Sequence, residues 1–293
     1  MRVTEQINQL LAHLREKLSY NDFDLPNLFI QREDTITDFN AVVYNPVVCL
    51  ILQGSKITAI GDQITTLHVG DILIVSHDLP VQSKITSASL TEPYLALVLS
   101  LDLSIVRSLY EQVGPHLREA PDARSLSNGP AEPVLIESIA RYLALQNNPL
   151  DACVLGPTIL REIHFRLLMS HNGGMLRSLL SVDSHASRIS MAILKLREEF
   201  RRNLAVTELA QIAGMSQSSF HGHFKTVTGT TPLQYQKDLR MITARDLLRS
   251  GNYSVSSASF EVGYESPSHF CRDYQRKFGI SPSKETATEL EFT

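Results

Sequence analysis

Val3, Ile7, Leu10, Leu11, Leu14 and Leu18 recur at intervals of three and four, which predicts an amphipathic helix over residues 4–19. From Leu28 to about Leu101 the pattern changes to short runs rich in Val, Ile, Leu and Thr. Val47 to Leu52, Lys56 to Ile60, Ile64 to Leu67, Asp71 to Val75 and Tyr94 to Leu101 read as strands. Gln53-Gly54, Gly61-Asp62, Gly70-Asp71, Pro80 and Pro93 separate them as tight turns, so a small antiparallel barrel or sandwich is expected. After Asp102 the period returns to that of helices, over Leu103 to Val113, Val134 to Gln146 and Leu155 to Met169. Ile159, Leu160, Ile163, Leu167 and Leu168 make a broad stripe in the last of these, suited to the core or to a second subunit. Polar and Gly-rich stretches at 171–174 and 181–187 put a domain boundary near 172–187.

Beyond that boundary one pattern is written twice. Phe220, Phe224, Gly229 and Pro232 recur 50 residues later as Phe270, Tyr274, Gly279 and Pro282. In the first copy Val206, Leu209, Ala210 and Ala213 form one face of a short helix, Gly214 permits the turn, and Ser216 can cap the next helix. Phe220, Phe224 and Val227 bury that helix, leaving Gln217, Ser218, His221, Gly222 and Lys225 outside. In the second copy Val255, Ala258 and Val262 precede Gly263, Ser266 is placed to cap, and Pro267 takes the first helical position. Ser268, His269, Cys271, Arg272, Gln275 and Arg276 are its exposed set, and Leu233 to Ser250 reads as a long linking helix. Two helix-turn-helix units, about 206–228 and 255–278, follow; such units present a second helix to a major groove.

Charge agrees with that reading. Residues 184–284 carry 14 Lys and Arg against 8 Asp and Glu, net +6, while the remainder is net −10. Only the C-terminal third suits a polyanion. With 293 residues, 43% apolar, the chain has room for two cores. No apolar run spans a bilayer and the N-terminus lacks the apolar core of a signal peptide, so a cytoplasmic protein without membrane attachment is expected. Cys49, Cys153 and Cys271 form neither a zinc pattern nor a disulfide framework. A metal site in the strand region would need several histidines and a carboxylate, yet His68 and His77 are the only histidines between 28 and 101. Both are expected at turns with local hydrogen bonds, and no cofactor, metal or catalytic triad is expected.

Residues 188–284 resemble the DNA-binding domain of the AraC/XylS family of bacterial transcription regulators. The likeness rests on Leu209-Ala210-Gln211-Ile212-Ala213-Gly214-Met215-Ser216, Phe224-Lys225, Thr228-Gly229, Pro232, Leu239-Arg240, Ala244-Arg245, Leu247-Leu248, Val262-Gly263-Tyr264 and Phe278-Gly279-Ile280-Ser281-Pro282. Residues 40–100 more loosely resemble the cupin-like sensor half of one branch, through Val48 to Gly54, Gly70-Asp71 and Asp78-Leu79-Pro80.

The resemblance implies an α+β protein: a cupin-like β-barrel with flanking helices for sensing and dimerisation over 1–180, and an all-α DNA-binding domain over 184–286. It places base or groove contacts on Ser218, His221 and Gly222 and on Pro267, Ser268, Cys271 and Arg272. Gly222 departs from the family's long polar side chain, which shifts weight to His221 and Lys225. Arg272 can hold guanine O6 and N7 together. Lys225, Arg240, Arg245 and Arg276 are assigned to phosphates or surface ion pairs, and Cys271 to a small neutral contact open to oxidation. The expected partners are double-stranded DNA, RNA polymerase, an unidentified small-molecule effector and a second copy of the chain. The function implied is a sequence-specific activator; a cupin-type metal enzyme tethered to DNA and a non-specific architectural protein are the alternatives.

Overall fold

The computed structural model describes residues 3–15, 25–61, 63–114, 117, 124–181 and 184–288. The chain forms two compact units, residues 1–187 except 41–43, and residues 188–293 with 41–43. The first begins with helix α1 (Val3–Arg15); residues 16–19 of the expected helix lie outside the described set. Strands β1 (Leu28–Glu33), β8 (Tyr94–Ser100), β3 (Val47–Gln53), β6 (Asp71–Val75) and β9 (Leu126–Pro130) make one sheet, in that order. Strands β2 (Asn40–Tyr44), β7 (Leu79–Ser87), β4 (Ser55–Ile60) and β5 (Gln63–Leu67) make the other.

These are two open antiparallel sheets whose edges do not join, which meets the expectation of a sandwich and corrects that of a barrel. Strand β3 is apolar from Val47 to Leu52 because both its faces are covered. Val48, Leu50 and Leu52 pack with Ile72, Ile74, Leu95, Leu97 and Leu99 against α1, α3 (Pro133–Ala144) and α4 (Pro149–Met169). Alternation along the strands turns the buried Cys49, Ile51, Leu73, Tyr94 and Ala96 toward the other sheet. The α4 stripe belongs to the core: Leu160, Ile163, Leu167 and Leu168 are buried within this unit.

Some elements differ from the pattern reading. Pro80 lies inside β7, next to its first residue, and Asn128-Gly129-Pro130 pair with β6 at a sheet edge, where a missing amide donor is tolerated. Helix α4 starts at Pro149, six residues earlier than Leu155, because Asn148 accepts from the amides of Leu150 and Asp151. Helix α2 (Leu103–Val113) is capped in the same way by Asp102, and a short helix α5 (Gly174–Leu180) follows α4. No described helix is long and apolar enough to cross a membrane.

Two histidines of this unit, His77 and His164, are buried and held by hydrogen bonds. His164 is fully buried; its Nδ1–H donates to the Leu160 carbonyl at 2.7 Å and its Nε2 accepts from the Asp102 amide at 2.9 Å. Burial pushes its pKa down. His68 lies exposed at the β5–β6 turn, whose Asp71 accepts from the His68 amide. His77 is buried, its Nδ1 within 3.0 Å of Ser76 Oγ and 3.1 Å of Ser125 Oγ, and desolvation lowers its pKa to about 4. The Ser125 contact is 48 residues distant, so this turn is held by tertiary structure and not only locally.

A pH dependence follows. Below about 6.5 the unfolded chain takes up a proton on residue 77 that the folded chain refuses until about pH 4, so stability present above 6.5 is lost through that window. The shift corresponds to about 3 kcal/mol. Urea midpoints measured at pH 7, 6 and 5 are expected to fall, and His77→Asn to flatten that fall; an equally steep decline in the variant would refute the assignment.

Candidate nucleic-acid interface

The second unit is helical: α6 (His185–Glu199), α7 (Val206–Ile212), α8 (Gln217–Thr228), α9 (Pro232–Arg249), α10 (Val255–Glu261), α11 (Pro267–Phe278) and α12 (Pro282–Thr288). The repeat in the sequence is a repeat in space. Phe220 and Phe224 stack at 5.5 Å with planes 51° apart, and Phe270 and Tyr274 at 5.5 Å and 52°. All four rings are buried. Gly214 and Gly263 turn the chain before α8 and α11 at φ of 60° and 85°, and Gly229 and Gly279 end those helices at 74° and 76°. Ser216 caps α8 by accepting from the Ser219 amide, Ser254 caps α10, and Thr231 caps α9 ahead of Pro232. Ser266 occupies the cap position of α11 without a side-chain bond to the helix, so the expected cap there reduces to Pro267 at the first turn.

With those rings fixed inward, 100° per residue decides what faces out. Ser218, His221 and Lys225 are exposed on α8, and Ser268, His269, Arg272 and Arg276 on α11. The two sets are not equivalent. Arg272 has no ion pair or hydrogen bond to any described residue, so its guanidinium is uncommitted. Its counterpart 50 residues earlier is Gly222, exposed and with nothing within 4 Å of where a Cβ would stand. Cys271 departs from its expected place: it is half-buried and packs against the core of Met241, Phe270 and Tyr274.

Two arginines assigned to phosphates or surface pairs do other work. Arg240 donates to the carbonyls of Phe200, Arg201 and Arg202 and lies over the Tyr264 ring at 5.8 Å. It fastens the segment after α6 to the second turn. Arg245 is buried, its guanidinium 4.5 Å from the centre of the Phe278 ring. Arg276 does form a surface pair, with Asp273 at 2.5 Å.

Asp273, to which the sequence assigns no role, ties α11 to its neighbours. It also accepts from Tyr264 Oη at 2.9 Å and pairs with Lys237 of α9 at 2.7 Å. Burial acts to raise its pKa, but these bonds outweigh that and hold the carboxyl below its ordinary range. One turn on, Lys277 pairs with Asp238 at 2.7 Å, so two oppositely directed ion pairs lock α11 to α9. Glu285 of α12 joins Tyr274 and Arg249 in the same way. Lys237-Asp238 and Asp273 with Lys277 were the signal available: adjacent opposite charges on one helix, matched one turn apart on another. Helix α8 is seated by aromatic contact instead, Phe224 meeting Tyr235 edge-on at 5.6 Å. Beside α11 lies a cleft of about 910 Å³, walled by Arg201, Arg202, Arg240, Arg272, Arg276 and His269 among others.

Filling the bare position on α8 is expected to help. Gly222→Ala should stabilise by up to about 1 kcal/mol through helix propensity alone. Gly222→Arg should tighten DNA binding and steepen its salt dependence by about one unit of log K against log salt. Fluorescence anisotropy across a salt series reads both; an unchanged slope would show that this face does not meet DNA.

Comparison with known proteins gives a consistent result. A family profile described as the N-terminus of AraC-type transcriptional regulators matches residues 24–175, and a helix-turn-helix domain profile matches 209–287. The thermoregulatory protein LcrF of Yersinia pestis is 26% identical over 248 residues, 83% of this chain and 90% of the relative. The virulence regulon transcriptional activator VirF of Yersinia enterocolitica is 28% identical over 162 residues, 55% of this chain and 59% of the relative. Among solved structures, ToxT of Vibrio cholerae with a bound unsaturated fatty acid shares the fold at a TM-score of 0.54 and 14% identity, covering 90% of this chain and 96% of that one. The profile match over half the chain, on a fold of paired sheets followed by two groove-sized helix units, shows that the protein belongs to the AraC-type transcriptional regulators, with a helix-turn-helix DNA-binding domain at its C-terminus.

Proposed function

We propose that the protein is a cytoplasmic, sequence-specific transcription activator in which α11 supplies most of the base reading and α8 a smaller share. The observation that carries this is the uncommitted Arg272 on an exposed helix face whose duplicate position is the bare Gly222. Ser218, His221 and Lys225 approach one groove segment; Ser268, Arg272 and Arg276 approach the next. Cys271, half-buried, serves α11 from the side. Activation is supported by the relatives named as activators, and RNA polymerase is the partner such a regulator recruits.

The N-terminal unit takes a small molecule that alters how the DNA-binding domain is presented, which requires the ligand to bind the two arrangements with different affinity. The fatty acid held by ToxT supports a ligand-binding role for this fold. A second copy of the chain docks on the first half of α4, where Leu150, Val154 and Leu155 are exposed although the second half of the helix is buried. Mapping the protein on its genome while measuring transcripts tests the reading. Bound promoters should lose transcription when the gene is deleted; increased transcription from them would make it a repressor.

A further inference from the structure

Helices α1 and α3 pack against each other in the N-terminal unit and leave a cleft of about 630 Å³ between them. That volume suits a small organic molecule. Its α3 wall is Ile136, Ala140, Leu143 and Ala144, one helical face on which the two alanines leave room that larger side chains would fill. Gln6 and Leu10 of α1, one turn apart, stand across from it. Leu10, Ile136 and Leu143 otherwise belong to the core, so the cleft is lined largely by hydrocarbon.

The polar groups lie at one edge. Gln6 is 3% exposed. Its Nε2 donates to the Pro133 carbonyl at 3.2 Å and to Glu137 Oε1 at 3.0 Å, while its Oε1 has no hydrogen-bond partner. Turning the amide over would set its oxygen against both acceptors, so the neighbours fix the orientation. Glu137 is exposed at the rim, and among the described residues its carboxylate has no ion pair. Arg141, one turn further along α3, gives its guanidinium to Glu162 at 2.5 Å instead.

The edge of the cleft therefore has a buried acceptor without a donor and a carboxylate without a counter-ion, beside an apolar wall. Buried acceptors in folded proteins find donors, and a carboxylate makes its strongest hydrogen bonds with a cationic one. An ammonium meets both needs at once, because it carries a positive charge and three N–H groups. Hydrocarbon attached to it would lie along the α3 wall, out of water. We propose that the cleft between α1 and α3 binds a small apolar primary amine, its ammonium held by Glu137 and Gln6 and its carbon chain laid on Leu10, Ile136, Ala140 and Leu143. The site rests on reading the N-terminal unit as ligand-binding, and it gives that reading a place and a chemical class.

The test uses the full chain with butylamine, hexylamine and octylamine, followed by titration calorimetry. Hexanol, hexanoate and hexyltrimethylammonium are the controls: the first two lack the cation, and the third keeps the charge without an N–H. Affinity should rise with chain length among the amines. Each control should bind at least about tenfold more weakly than hexylamine, as expected for lost hydrogen bonds to a charged group. Glu137→Gln, at an exposed position, and Gln6→Leu should each weaken hexylamine by about tenfold or more, and Ala140→Phe should abolish its binding by filling the cleft. Should Ala140→Phe fail to fold, Glu137→Gln decides the matter. Equal binding of hexylamine and any control, or an unchanged affinity in Glu137→Gln, would overturn the proposal. DNA binding by the same samples without amine separates the outcomes: an intact footprint with no amine binding removes this site alone, whereas a lost footprint in the unmodified protein removes the regulator reading.

Discussion

Gly263→Ala is expected to abolish specific DNA binding and to destabilise the DNA-binding unit by more than about 4 kcal/mol, the range reserved for mutations with a named steric cause. Two costs coincide. The residue has φ of 85°, where an L side chain is strained, and a Cβ built there would stand 1.7 Å from the Arg201 carbonyl oxygen and 2.6 Å from its carbon. Backbone cannot swing aside as a side chain can. The segment after α6 would have to retreat, taking with it the carbonyls of Phe200, Arg201 and Arg202 that hold Arg240. Gly214 is the control. It has φ of 60° but nothing within 4 Å of its Cβ position, so Gly214→Ala should cost only about 1–2 kcal/mol. Urea unfolding of both variants, with anisotropy on one duplex, makes the comparison; equal losses at the two glycines would contradict the close approach at Gly263.

Arg272→Ala carries the second large effect. A bidentate arginine–guanine contact discriminates by about 1–3 kcal/mol, so binding to the preferred duplex should fall roughly 10- to 100-fold while affinity for unrelated DNA changes little. Preference should relax at one base step. Arg272→Lys should not rescue it, because an ammonium lacks the planar fork. Lys225→Ala, by contrast, should weaken all duplexes alike and lower the salt slope by about one unit. Should Arg272→Ala reduce specific and non-specific binding equally, the residue would be a phosphate contact.

The duplicated scaffold was legible because it depends on local spacing. Phe220 with Phe224 and Phe270 with Tyr274 are each one turn apart, and the structure repeats their geometry within a degree. Exposure of Ser218, His221, Lys225, Ser268, Arg272 and Arg276 follows from the same helical period. What spacing along one helix does not contain is which helix lies opposite. Arg240 and Arg245 look like surface cations in sequence, yet the segment after α6 and Phe278 fold over them, and the Asp273–Lys237 pair with α9 exists only once α9 and α11 face each other. Cys271 is half-covered for a similar reason, lying near the edge of the buried stripe. In the first unit β3 was plain from its apolar run, whereas β7 was concealed by Pro80, the second residue of a strand with neighbours on both sides, and β9 by Asn128-Gly129-Pro130, turn chemistry that a sheet edge also accepts. Barrel closure was not legible at all, since it depends on whether the last strands of each sheet meet.

The central claim is that two matched scaffolds read DNA unequally, and selection from random duplexes with the full chain tests it most directly. The selected sites should contain two short elements about one helical turn apart, one sharply defined with a guanine that Arg272→Ala makes indifferent, the other weakly defined and sharpened by Gly222→Arg. A selection that returns no motif, or two equally defined elements that neither substitution changes, would contradict it.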